Sequence, residues 1–224
     1  AMAPHITAFF EQRLPIERRA SEHTRDSYAY AFKLLLTYAS RCRKVAPSQL
    51  ALEQIDAPLV VDFLNDLETT RRNGPSSRNA RLAAIKSFMH FMEYRVPSAL
   101  EQIRRVLAIP LKRAESRLVR HLTLEEVQAI LNAPDPSAWK GIRDRAMLHV
   151  CYTGGLRVSE LIGLRLDDLS FQPQGTVLIH GKGRRERCLP LWKTTATALR
   201  AWLAVRGSVR VPELFVNARG GSLT

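Results

Sequence analysis

Two short segments hold the residue types that chemistry on a phosphate needs. Tyr152-Thr153-Gly154-Gly155-Leu156-Arg157-Val158-Ser159-Glu160-Leu161 ends one predicted helix, turns on two glycines and starts another helix with an arginine at its mouth. His180-Gly181-Lys182-Gly183-Arg184-Arg185-Glu186-Arg187 follows, with a lysine at the tip of a predicted β-hairpin. A helix start offers N–H groups without intrahelical partners, and the planar arginine fork matches phosphate oxygens. Arg157 and Lys182 together therefore read as a phosphate clamp. Each also has a plainer reading. Arg157 can pair with Glu160 three residues on, as helix neighbours commonly do. A lysine between two glycines can simply be a solvated turn residue.

Other chemistries fit less well. Gly175 to Lys182 does not make a nucleotide-binding loop, because that pattern needs four residues between its glycines and Ser or Thr after the lysine. Here five residues separate Gly175 from Gly181, Gly183 follows the lysine, and Thr-Val-Leu-Ile-His between them reads as strand. His180, at a strand end, reads as structural. His149, among mainly apolar helix neighbours, reads as a core or interface histidine. No His, Cys, Asp or Glu group has metal-ligand spacing, so neither a metal nor another cofactor is expected.

The elements that must position these residues follow from periodicity and punctuation. A short helix is predicted over 4–14, ended by Pro15 and a run of charge. A second starts near Ser21 or Glu22 and runs to about Arg43, with Tyr28, Phe32, Leu35, Leu36 and Ala39 inward. Asp56 and Pro58 open a third, whose stripe is Leu59, Val60, Phe63, Leu64 and Leu67. Pro75-Ser76-Ser77 opens a fourth, with Leu82, Ile85, Phe88, Met89 and Met92 on one side and Arg78, Arg81 and Lys86 on another. These four helices make an all-α bundle. Residues 96–119, with Pro97, Pro110 and six basic residues up to Arg120, read as an extended basic linker, either lying along a polyanion or merely solvated. A capping box at Thr123 and Glu126 starts the next helix, to about Asn132. A further helix spans 140–153, with Gly154 at its C-cap, and a short one spans 158–163. Three short strands (167–171, 176–180, 186–190) and a helix over 193–205 complete the pattern. The predicted class is mainly α: a four-helix bundle, then an α+β domain with a small three-stranded antiparallel sheet.

Composition narrows the partner. The 224 residues are 46% hydrophobic, so the chain is globular. Net charge is +13, which favours a polyanion, most often nucleic acid. Residues 1–110 hold 16 basic and 11 acidic residues, and residues 111–224 hold 18 and 10. Two basic halves suggest two modules on one polyanion. No apolar run reaches eighteen residues and no signal-peptide pattern is present, so a soluble, cytoplasmic, nucleoid-associated protein without membrane partner is expected. The three cysteines (Cys42, Cys151, Cys188) are far apart and fit a reducing compartment.

The T-G-G-L-R-V-S-E-L segment, followed by a strand, G-K-G-R-R-E-R and L-P-L, resembles the tyrosine recombinase (phage integrase) family of site-specific DNA recombinases. The resemblance implies a SAM-like helical domain over 1–110 that binds DNA and a catalytic domain over 111–224. It implies that Arg157 binds the scissile phosphate, that Glu160 holds that arginine in place, and that Lys182 gives a proton to the leaving 5′-oxygen. Arg184, Arg185 and Arg187 either supply the cationic field that lowers the lysine's pKa or bind backbone phosphate. In the first domain the family presents two helices to the major groove; those matching here are the second and fourth, with Thr24, Ser77, Arg78 and Arg81 as candidate contacts. The implied partner is double-stranded DNA, with a homo-tetramer on two duplexes. The family's nucleophile is a tyrosine C-terminal to its other catalytic groups, preceded by an H-x-x-R segment. All five tyrosines (Tyr28, Tyr30, Tyr38, Tyr94, Tyr152) precede Arg157, most on apolar helix faces, and no histidine follows His180. The expectation is that this 224-residue chain does not cleave DNA. The alternatives are a non-catalytic DNA-binding protein that occupies recombination sites and a basic protein that binds nucleic acid through charge alone. Phage integration, transposon movement and chromosome-dimer resolution remain open as roles.

Overall fold

The computed structural model describes residues 2–115, 121–172, 174–181, 183 and 185–223. Lys182, Arg184, Pro173 and the linker arginines Arg117 and Arg120 lie outside the described residues. The chain forms two compact units, Ala1–Leu118 and Val119–Thr224.

The first unit is helical. α1 (Ala3–Ala8) continues without a break into a π-helical stretch, Phe9–Glu17. The expected stop at Pro15 is therefore corrected. Proline lacks one N–H donor, but the wider turn keeps neighbouring groups paired, with Arg18 N–H donating five residues back to Arg13 O at 2.9 Å. α2 (Glu22–Arg43) is capped by the Ser21 hydroxyl, which accepts from Thr24 N–H, and ends at Lys44 in left-handed geometry. α3 (Ala57–Thr69) is capped by Asp56, which accepts from Leu59 N–H at 2.9 Å. Each such cap is worth about 1 kcal/mol. α4 (Pro75–Met92) buries the predicted stripe from Leu82 to Met92. Phe9, Phe32, Phe88 and Phe91 meet at the centre, Phe88 edge to face with both Phe9 and Phe32 and the other pairs tilted, with Phe32 and Phe88 centroids 5.2 Å apart. Burying each contributes about 1.5–3 kcal/mol.

The linker expectation is also corrected. Within residues 96–119, α5 (Leu100–Leu107) forms and buries Ile103 and Val106 in the same core. Gln102 Nε2 donates to Leu52 O at 2.7 Å and to Ile55 O at 3.2 Å. Further on, Asn79 holds Lys112 by both backbone groups (2.7 and 3.0 Å), and Lys112 Nζ reaches Glu68 at 2.6 Å. The arginines lie on the opposite face of α5, so the run of charge concealed an i, i+3 apolar pair.

The second unit begins with α6 (Leu124–Asn132), whose capping box has both bonds, Thr123 N–H to Glu126 at 2.8 Å and Glu126 N–H to Thr123 at 3.2 Å. α7 (Trp139–Gly154) and α9 (Lys193–Arg206) pack together around Trp202, which is fully buried, 5.0 Å from Trp139, and donates from Nε1 to Leu214 O at 2.9 Å. α8 (Val158–Ile162) lies between α7 and the sheet in sequence. β1 (Leu169–Ser170), β2 (Thr176–His180) and β3 (Glu186–Pro190) form one antiparallel sheet in that order, with Ile179 opposite Arg187 and His180 opposite Glu186. β1 is shorter than expected because Leu166–Asp168 is a 3₁₀ turn. The tyrosines, most of them read on apolar helix faces, do not enter the core: none is fully buried, and Tyr30, Tyr94 and Tyr152 are exposed. A phenol keeps its hydroxyl near water when no partner is in reach. Among the described residues no helix is long and apolar enough to cross a membrane.

Candidate functional site

The site starts from the turn between α7 and α8. α7 runs through Gly154, and its C-cap is Gly155, not Gly154 as the sequence suggested. Gly155 has φ +55°, a left-handed conformation that glycine adopts without a Cβ penalty. Its N–H closes the helix on Cys151 O. Leu156 then enters the core, and Arg157, extended, becomes the residue before α8.

Glu160 reaches back from α8 to Arg157 twice. Its Oε2 accepts from the Arg157 backbone N–H at 2.9 Å, and its Oε1 accepts from Arg157 Nη1 at 2.9 Å. The Arg157 N–H at the mouth of α8 is thereby taken. The local ion pair expected from the i, i+3 spacing is present, yet the Arg157 side chain remains 72% exposed while that of Glu160 is 4% exposed. A buried carboxylate holds an exposed guanidinium from behind.

A second arginine completes the arrangement. Arg187, from β3, donates to both oxygens of Glu160, Nη2 to Oε2 at 2.9 Å and Nη1 to Oε1 at 3.3 Å. The charge-assisted bonds from Arg187, then the Arg157 N–H, hold the Glu160 carboxyl down to about 2. Sequence reasoning gave Arg187 either to the cationic field around the lysine or to backbone phosphate; its guanidinium is directed to Glu160. An open cleft of about 490 Å³ is lined by Arg157, Glu160, Gly181, Arg185, Glu186 and Arg187. Arg185 is exposed there. Lys182 and Arg184, placed in this cleft's hairpin by sequence alone, lie outside the described residues.

The foot of the hairpin is held by His180, whose Nε2 lies 2.9 Å from Asp168 Oδ1 and whose Nδ1 lies 3.0 Å from Glu186 Oε1. Asp168 is buried, and its other oxygen accepts from Arg165 N–H at 2.8 Å. The hydrogen bond to Asp168 is the main cause that raises the His180 pKa above 6.5. Asp168 had gone unnoticed, although Arg165 and Asp168 have the same three-residue capping spacing as Thr123 and Glu126. His149 is buried as expected, with its pKa lowered by burial and by Arg145. Among the described residues no group of three or more His, Cys, Asp or Glu could hold a metal.

In the first unit, Arg81 of α4 reaches α2, with Nη1 3.4 Å from Ser27 O and the guanidinium 4.8 Å over the Tyr30 ring. Ser77 is exposed, and Thr24 is half-buried, its hydroxyl 3.0 Å from that of Ser21. Arg78 differs from expectation. It is buried, with Nε 3.6 Å from Glu68 Oε2. Its position is four residues before Leu82, in line with the apolar stripe and not on the opposite side. Guanidinium nitrogens of Arg25, Arg78 and Arg81 are buried without a hydrogen-bond partner.

The model of the phage integrase family matches residues 120–223, and that of the phage integrase N-terminal SAM-like domain matches residues 7–95. The y4rC protein of Sinorhizobium fredii is 47% identical over the whole chain, which spans 68% of that relative. Tyrosine recombinase XerC of Myxococcus xanthus is 35% identical over 96% of the chain, which spans 71% of it. The structure of the XerH site-specific recombinase bound to palindromic difH substrate superposes with a TM-score of 0.69, at 24% identity, covering 92% of this chain and 60% of that one.

Proposed function

The chain belongs to the phage integrase family of tyrosine recombinases, and on that premise we propose that it grips double-stranded DNA with both units and presents one phosphodiester to the Arg157 cleft. The observation that carries this reading is an exposed guanidinium fixed from behind by a buried carboxylate in an open cationic cleft. Arg157 binds the scissile phosphate and offsets the charge that builds on its oxygens in the transition state. Glu160 sets the pose of Arg157 and moves no proton, since its carboxyl stays ionised far below neutral pH. Lys182 gives a proton to the leaving 5′-oxygen, and Arg184 and Arg185 bind neighbouring backbone or keep that lysine's proton transferable.

In the complete reaction a tyrosine attacks the phosphorus and forms a 3′-phosphotyrosyl link, and a 5′-hydroxyl then reseals the strand. The bond energy stays in the covalent intermediate, so no high-energy cofactor is consumed. Four protomers on two duplexes carry out the exchange. The helices α2 and α4 lie against the DNA, with Thr24, Ser77 and Arg81 facing it. Arg78 is the exception among these candidates, because it reaches DNA only by leaving Glu68.

The test is duplex binding over a salt series with wild-type protein and Arg157→Ala. One lost phosphate contact lowers the magnitude of the log K against log salt slope by about 0.9. Between 50 and 200 mM salt this narrows the affinity gap between the two proteins by roughly 3.5-fold. An unchanged slope overturns the assignment of Arg157.

A further inference from the structure

We infer that Arg187 is a positioning residue that acts through Glu160, keeping Arg157 cationic toward the cleft and tying the β2–β3 hairpin to α8. The inference rests on reading Arg157 as the phosphate-binding group and goes beyond it by assigning what sets that group's pose.

The geometry is a carboxylate shared by two guanidiniums. Glu160 accepts four hydrogen bonds, two from Arg157 and two from Arg187, at 2.9 to 3.3 Å. Arg187 uses two nitrogens in a fork-to-fork contact, whereas Arg157 uses one side-chain nitrogen and its backbone. Alone with Glu160, Arg157 would form a neutral surface pair, and a phosphate would have to compete with the carboxylate for it. With Arg187 present, two positive charges share one negative charge. The surplus lies on Arg157, the more exposed of the two side chains, at 72% against 36%.

Arg187 is also placed where a DNA contact is not expected. It pairs across the sheet with Ile179, which is fully buried, and directly paired residues share a face. Arg187 and Leu189 are the partly buried positions of β3, while Glu186, Cys188 and Pro190 are exposed. The hairpin neck closes over the same group. Gly181 N–H donates to Arg185 O at 2.7 Å, and a Cβ on Gly181 would stand 3.5 Å from Glu160 Oε1 and 3.7 Å from Arg187 Nη1. The Arg187–Glu160 link thus joins the segment carrying Arg157 to the segment carrying Lys182, 27 residues apart at the contact.

Two measurements on the full chain test this, with thermal melts to verify that each variant folds. The first is the Glu160 carboxyl titration by carbon-13 NMR. Arg187→Met moves it upward from about 2 toward the ordinary carboxylate range, and Arg187→Lys, with one donor in place of a fork, moves it less. The second is a cycle of Arg187→Met and Arg157→Ala in duplex binding. Arg187→Met lowers the salt slope by up to about 0.9 alone and by nothing further in the Arg157→Ala background. An equal loss in both backgrounds means that Arg187 touches phosphate itself and overturns the inference, as does a Glu160 titration that Arg187→Met leaves in place. An Arg157→Ala protein that binds as wild type instead removes the phosphate reading of Arg157, and the functional half of the inference with it.

Discussion

Replacing Arg206 with methionine should loosen the platform behind the cleft without touching the cleft itself. Arg206 ends α9 and is buried. Its Nε donates to Leu214 O at 3.1 Å, and its Nη2 donates to Val211 O at 2.9 Å and Glu213 O at 2.7 Å. The segment it gathers docks next to α8, through Leu214 N–H to Leu164 O at 2.7 Å and Leu166 N–H to Pro212 O at 2.9 Å. Its Nη1 also donates to Gly207 O at 3.4 Å, so methionine, which keeps the apolar stem, removes four charge-assisted bonds, each worth about 1.5–3 kcal/mol. Their plain sum is an upper bound. Val211 and Glu213 are only half-buried, so water replaces their lost donors, and Leu214 O keeps the Trp202 N–H. About 3 kcal/mol is therefore expected. For a domain of about this size, a loss of that order lowers Tm by roughly 12–24 °C. Calorimetry or a far-UV melt of Arg206→Met gives the answer, with Arg200→Met as control. Arg200 is exposed on the same helix, its guanidinium 4.9 Å from the Phe171 ring centroid, and should matter by about 0.5–1 kcal/mol. A second-unit transition within about 2 °C of wild type, well below that expected shift, would refute the claim that Arg206 organises this segment.

Two further outcomes follow from the site. The His180 pKa is raised on folding, so its contribution is complete below about pH 6.5 and is lost as pH rises through the folded value; the Tm advantage of wild type over His180→Asn, which cannot titrate, should shrink from pH 6 to pH 8, while the lowered His149 pKa acts in the opposite sense in both proteins. Gly155→Ala meets no neighbour within 4 Å but must hold φ +55°, a cost of about 1–2 kcal/mol, so Tm should drop by roughly 4–16 °C and duplex affinity should weaken with Arg157 less well fixed.

Much of this protein was legible in its residues because the interactions concerned are local. The Ser21, Asp56 and Thr123 helix starts, the stripes of α2, α3 and α4, the glycine turn before Arg157 and the extents of β2 and β3 all depend on residues within a few positions of one another. The first family segment placed Arg157 and Glu160 in one turn, and the i, i+3 pair between them is present. Some of what was misread was also written there. Arg78 stands in helical register with Leu82, Ile85 and Met89, and Arg187 shares strand parity with Leu189, so each occupies an inward position despite its charge. The apolar pair Ile103 and Val106 likewise marked α5 beneath its arginines.

The rest needed the tertiary structure, because charge alone does not say where a side chain ends. Glu68 lies ten residues before Arg78 and forty-four before Lys112, and only the packing of α3 against α4 and the return of the chain past α5 bring the three together. His180 meets a buried aspartate twelve residues back, and Arg187 meets Glu160 across 27 residues. Sequence determined that a guanidinium would stand at the mouth of α8. The fold decided that a second guanidinium would share its carboxylate, since β3 must come back over that helix before Arg187 can reach both oxygens.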